Sequence, residues 1–107
     1  DAADEIPERT ILYEIDDSNL RFKACKNGIL EQLGRMRVQD NVSFDDCIII
    51  ANYAIDAIKA GVGVKEITVA IRKVRSALKK YKTDVENEDL EMDFYKAVYL
   101  LKKLGDN

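Results

Sequence analysis

Five of the seven cations in residues 64–82 form the first group of side chains that could act on a ligand. If this segment is helical, its apolar residues share one half and the cations occupy the other. Lysine and arginine on one helix face can neutralise phosphates, which produces salt-sensitive and largely non-specific nucleic-acid binding. The candidate phosphate-binding residues are Arg72, Lys73, Arg75, Lys79 and Lys80.

A second group lies further along the chain, where Met92, Tyr95 and Tyr99 recur at the spacing i, i+3 and i+7. At that spacing they share one side of a helix, beside its main apolar stripe. Tyrosine and methionine are enriched where proteins contact each other, and amphipathic helices dock through such anchors. These three residues are the candidate partner-binding site. The open alternative is that residues 1–17 fold back and cover them.

The chain lacks the residues that most catalytic sites need. It contains no His, so the usual proton shuttle and the commonest metal ligand are both missing. It has no G-x-S-x-G nucleophile motif and no G-x-x-x-x-G-K-[ST] phosphate loop. Acids alternate from Asp84 to Glu88 as calcium ligands would, but Asp89 stands where a calcium loop needs Gly. We therefore expect no enzymatic activity, no cofactor and no bound metal.

The segment Gly61–Ile67 reads Gly-Val-Gly-Val-Lys-Glu-Ile, which resembles the start of the second helix in resolvase-like helix-turn-helix domains. That family usually reads Gly-Val-Ser-Val-x-Glu-Ile there. The resemblance would imply a turn shortly afterwards, commonly at Gly, and then a DNA-recognition helix. Arg72 stands at the place of that turn, and the apolar stripe continues to Tyr81. We therefore predict one unbroken helix instead.

Hydrophobic spacing predicts two helices in the first half of the chain. The first extends over about 19–36. The second follows a capping box that begins at Ser43, is apolar on nearly every side over 44–60, and ends at Gly61. A strand over residues 47–52 is the competing interpretation, but the capped length favours a helix.

Two more helices follow, over 64–82 and from Thr83 to Leu104. Thr83-Asp84-Val85-Glu86 has the form of a second capping box, which predicts that the last helix starts there. Four principal helices joined by short loops predict an all-α fold in which residues 18–107 form a compact bundle. The acidic segment 1–17 is predicted to be an arm or a short helix packed on that bundle.

The charges of the chain are grouped along the sequence. Seventeen basic and twenty acidic residues give a formal net charge of −3. Residues 1–17 carry seven acids and one Arg, residues 65–82 carry seven bases and one acid, and residues 84–93 carry six acids and no base. Such groups create local fields that can steer a partner. Alternatively, the acidic arm covers the basic helix and neutralises it within the chain.

Cys25 and Cys47 fall on apolar stripes, and their separation matches neither a redox motif nor a zinc site. Buried free thiols are the simpler interpretation, and a disulfide is the alternative for a secreted protein. No apolar run is long enough to span a membrane. A cytoplasmic location is the default expectation, and a secreted or organellar one is the alternative because the chain begins at Asp1 without Met.

These observations predict a small, non-enzymatic helical module for protein–protein interaction. The segment 44–60 and the last helix carry more apolar surface than one small bundle can bury, which favours a homodimer or another protein partner. The module would act as an adaptor, inhibitor or assembly factor by docking one helix face. The alternative is a nucleic-acid-binding regulator that uses the basic helix 64–82. No small-molecule substrate is indicated.

Overall fold

A computed structural model describes residues 28–106, which form four helices around one hydrophobic core. The helices are α1 (Gly28–Val38), α2 (Phe44–Lys59), α3 (Val64–Thr83) and α4 (Glu88–Lys103). The predicted all-α bundle of four helices is thus confirmed. The predicted arm at 1–17 and the first part of the first predicted helix lie outside the described residues.

α3 is the helix around which the bundle is built. It packs against each of the other three helices, and α2 does the same, whereas α1 and α4 have little or no contact with each other. The side chains of α3 that face the core include Ile67, Ile71 and Val74. They meet core residues from the other three helices and the α1–α2 loop, among them Ile29, Leu30, Leu33, Met36, Val42, Ala51, Ala54, Ile55 and Leu101.

α3 is also continuous over its 20 residues. The prediction of an unbroken helix is therefore confirmed, and the turn that a helix-turn-helix domain would require does not interrupt it. Among the helices of residues 28–106, none combines the length and the apolar character needed to cross a membrane.

The ends of α2 follow the predicted capping signals. Ser43 is the N-cap, and its side-chain oxygen accepts a hydrogen bond from the backbone N–H of Asp46 at 3.2 Å. Gly61 has a φ of 88° in the loop that follows, a left-handed conformation that glycine adopts without a steric penalty. The segment 47–52 lies within α2, so the helical interpretation is confirmed over the strand.

α4 begins later than predicted. Thr83 is the last residue of α3, and its hydroxyl donates a hydrogen bond back to the carbonyl of Lys80, so the prediction of a cap at Thr83 is wrong. Asn87 caps α4 instead, because its side-chain oxygen accepts from the backbone N–H groups of Asp89 and Leu90. α3 thus continues through the predicted cap, and α4 starts at the cap that Asn87 provides.

Candidate protein-docking site

α4 is the helix of the described bundle with the least buried surface. Leu101 is its one fully buried side chain within residues 28–106. Phe94, Ala97, Val98 and Leu104 are half-buried and pack against the edge of the core. α4 therefore covers the bundle on one side and presents the rest of its circumference to solvent.

The outer side of α4 carries the three residues predicted to bind a partner. Met92, Tyr95 and Tyr99 have exposed fractions of 65%, 55% and 57%. Residues three and four apart are neighbours on a helix surface, so these side chains form one continuous strip. We call this strip, formed by Met92, Tyr95 and Tyr99, the outer face of α4. Several large exposed apolar side chains in a row are typical of an interaction surface, whereas single ones are ordinary.

A groove of about 490 Å³ adjoins the outer face at Tyr95. It lies between the end of α1 with the loop that follows, the start of α2, the second half of α3 and the middle of α4. Its lining is mostly apolar and includes Ile49, Ile50, Leu78, Phe94, Tyr95 and Val98. No sequence signal predicts this groove, because its walls come from all four helices and the loop between α1 and α2, which only the tertiary packing brings together.

Aromatic contacts hold α4 against α3 beside the groove. The rings of Tyr81 and Phe94 stack with their centroids 5.9 Å apart, and Phe94 is in turn 5.6 Å from Tyr95. The Tyr81 hydroxyl donates a hydrogen bond to Oε2 of Glu91 at 3.0 Å, which raises the pKa of Tyr81. The Tyr81–Phe94 stack and the Tyr81–Glu91 hydrogen bond thus join α3 to α4, whereas Phe94 and Tyr95 are neighbours within α4.

The candidate phosphate-binding residues of α3 divide into two sets. Arg72, Lys73, Lys79 and Lys80 are exposed, as predicted. Arg75 is buried, with 7% of its surface exposed, so its placement on the exposed basic face was wrong. On the helical wheel Arg75 lies beside the apolar stripe, and a buried carboxylate draws its guanidinium inward.

That carboxylate belongs to Asp40, in the loop between α1 and α2. Arg75 donates from Nε to Oδ2 of Asp40 at 2.6 Å and from a terminal nitrogen to Oδ1 at 3.2 Å. Its other terminal nitrogen donates to the side-chain oxygen of Gln32 on α1 at 2.7 Å. Nζ of Lys79 lies 3.8 Å from Oδ1 of Asp40, and Nζ of Lys82 donates a hydrogen bond to the backbone carbonyl of Asp40. With its donors so occupied, Arg75 joins α1 and the loop to α3 and does not face a ligand.

Sequence reasoning missed this cluster because Asp40 and Arg75 are 35 residues apart. A lone acid in a loop and one cation among seven carry no local sign that they will pair. Their meeting depends on how α1 and its loop cross α3.

Cys47 lies in the core and is a free thiol, which confirms the prediction for this residue. Burial raises the pKa of the Cys47 thiol to about 11, so the thiol stays protonated and is a poor nucleophile at neutral pH. Cys25 lies outside the described residues. Across residues 28–106, no group of three or more His, Cys, Asp or Glu side chains is arranged to hold a metal ion.

Comparisons with protein-family models, with curated proteins and with solved structures found no match for this chain. The described residues themselves are therefore the basis for a functional proposal.

Proposed function

We propose that this chain is a small, non-enzymatic protein–protein interaction module that docks through the outer face of α4. The observation that carries the proposal is the exposure of Met92, Tyr95 and Tyr99, each more than half open on one side of a folded helix. Covering this strip removes apolar surface from water, at about 25 cal/mol per Å² buried. An adaptor, an inhibitor or an assembly factor would each use such a face in the same way.

The groove beside Tyr95 supports the same proposal. Binding energy at interfaces concentrates in aromatic anchors and the pockets that surround them. Here an aromatic anchor and an apolar groove share the residue Tyr95, so a partner that covers the face can also insert a side chain next to it. The acidic start of α4 and the basic side of α3 would steer the encounter.

Replacing both Tyr95 and Tyr99 by Ala tests the proposal. Because both side chains face solvent, we expect the free energy of unfolding of the monomer to change by less than about 0.5 kcal/mol. Association should weaken by about tenfold or more, since aromatic anchors carry much of an interface's energy. Sedimentation velocity measures association with a second copy, and titrated pull-down measures association with other proteins.

The matched control is Val38→Ala, which trims an apolar side chain that is 79% exposed on α1. This variant should keep both its stability and its association. Loss of cooperative unfolding in the double tyrosine variant would place the two rings in the core. Unchanged association, with a second copy and with other proteins alike, would remove the outer face of α4 from any interface. Either result overturns the proposal.

A second candidate function is nucleic-acid binding through α3, which the exposure of Arg72, Lys73, Lys79 and Lys80 favours. Phosphate contacts lose affinity steeply as salt rises, whereas an apolar interface changes little. Fluorescence anisotropy of labelled duplex DNA and single-stranded RNA, at low and at physiological salt, separates the two functions. Steeply salt-dependent binding that Arg72→Ala weakens would support this candidate, and no binding at low salt would exclude it.

A further inference from the structure

We infer that the partner on the outer face of α4 is a second copy of this chain, with the two α4 helices packed antiparallel about a two-fold axis. The axis passes between Tyr95 and Lys96, the midpoint of Glu88–Lys103. This inference rests on the proposed function and adds the identity of the partner and the geometry of the contact.

The order of charges along α4 selects a second copy as the partner. The helix is acidic in its first half, where Glu88, Asp89 and Asp93 are exposed, and basic in its second half, where Lys96, Lys102 and Lys103 are exposed. Glu91 is engaged with Tyr81 of α3 instead. Antiparallel packing of two copies places each acidic half opposite a basic half. Parallel packing would place like charges opposite each other, which disfavours association.

The outer face of α4 has a charged residue of opposite sign at each of its two ends. Glu88 precedes Met92 by four residues and Lys103 follows Tyr99 by four, so both charged residues extend the exposed strip at its two ends. Glu88 and Lys103 are both exposed. In the described part of the chain neither forms an ion pair, so both remain available to a second copy.

A two-fold axis at the midpoint matches these residues in pairs. It brings Met92 of one copy opposite Tyr99 of the other, and Glu88 opposite Lys103, with each pair formed twice. A thioether next to an aromatic ring is a favourable contact, and opposite charges at the two ends fix the register. Two Tyr95 rings then lie close to the axis. The outer face of one copy is thus complementary to the same face of a second copy that runs in the opposite direction.

Disulfide trapping tests the direction of packing. In a background with Cys25→Ser and Cys47→Ala, Met92→Cys and Tyr99→Cys are prepared as separate proteins and oxidised alone or mixed. We expect the mixed sample to cross-link about tenfold faster than either protein alone, because two copies of residue 92 are offset by about 10 Å along antiparallel helices. Val38→Cys is the control for random collision.

Charge reversal tests the register. Glu88→Lys alone and Lys103→Glu alone each place like charges together twice in the dimer, so each should weaken self-association by about tenfold at low salt. Mixing these two proteins restores both opposite-charge pairs in the heterodimer, and association should return to the level of the unaltered chain. Asp45→Lys changes the net charge as Glu88→Lys does, but on α2, and should leave association unchanged.

The outcomes separate this inference from the proposed function. A chain that stays monomeric throughout the micromolar range overturns self-docking, and the tyrosine double variant then decides the proposed function with other proteins. Cross-linking faster within each cysteine variant than in the mixture shows parallel packing and overturns the inference, while the outer face stays an interface. The inference is also overturned if the mixture of Glu88→Lys and Lys103→Glu associates no more tightly than either protein alone.

Discussion

α1 and α4 pack against the same central helix, but they are held there in different ways. Five of the 11 residues of α1 are buried, whereas Leu101 alone is fully buried among the 16 residues of α4. The loop that follows α1 adds the buried ion pair of Asp40 with Arg75. On the α4 side, the side-chain hydrogen bond to α3 runs from Tyr81 to Glu91 and is only partly buried.

The difference shows that one small bundle can bury one helix well while it leaves large apolar side chains of another helix exposed. A helix that is apolar on two sides needs cover on both. α1 is covered by its own bundle, but α4 has one side on the core and the outer face of Met92, Tyr95 and Tyr99 in solvent. The α1 side is therefore held by more buried side chains, whereas the α4 side leaves large apolar side chains exposed.

The largest expected effect on stability comes from removing one member of the buried ion pair. Asp40→Ala leaves the guanidinium of Arg75 buried without its carboxylate, so we expect it to lower the free energy of unfolding by about 3–5 kcal/mol. Urea denaturation followed by circular dichroism measures the loss. Its control is Glu31→Ala, which removes an exposed ion pair with Arg35 within α1 and should cost less than about 1 kcal/mol. Equal losses of unfolding free energy in the two variants would show that the buried Asp40–Arg75 pair stabilises the fold no more than an exposed pair does.

The next effect compares the two sides of α4. Leu101→Ala opens a cavity under the helix and should lower the free energy of unfolding by about 2–4 kcal/mol. Tyr99→Ala trims an exposed ring on the opposite side and should change it by less than about 0.5 kcal/mol. Thermal unfolding at low protein concentration measures both without a contribution from association. A larger loss for Tyr99→Ala than for Leu101→Ala would reverse the assignment of the inner and outer sides.

The smallest effect concerns the hydrogen bond between α3 and α4. Tyr81→Phe keeps the stacked ring and removes the hydroxyl that donates to Glu91, so we expect a loss of about 0.5–1 kcal/mol. Spectrophotometric titration of the tyrosines checks the same contact, because the hydrogen bond to Glu91 raises the pKa of Tyr81. Glu91→Gln should lower that pKa toward its usual value. A titration that Glu91→Gln leaves unaltered would remove this contact from the α3–α4 interface.

Part of the candidate site could be predicted because its signal is local. The strip of Met92, Tyr95 and Tyr99 follows from helical periodicity, and the structure places these residues together and exposed. The start of α4 was predicted wrongly because the pattern at Thr83 has the form of a cap, whereas the structure has the cap at Asn87. A capping pattern acts locally and does not say how far the preceding helix extends. The packing of Tyr81 on Phe94 favours the longer α3 and therefore the later cap.

The sequence by itself determined the four helices, the Ser43 cap and the turn at Gly61, because periodicity and capping act over a few neighbouring residues. Tertiary structure alone decided which cation of α3 is buried and where the groove beside Tyr95 lies. Both depend on side chains tens of residues apart. A charged side chain is buried only where an opposite charge or a hydrogen-bond acceptor can pair with it. Only the packing of α1 on α3 brings the Asp40 carboxylate to Arg75.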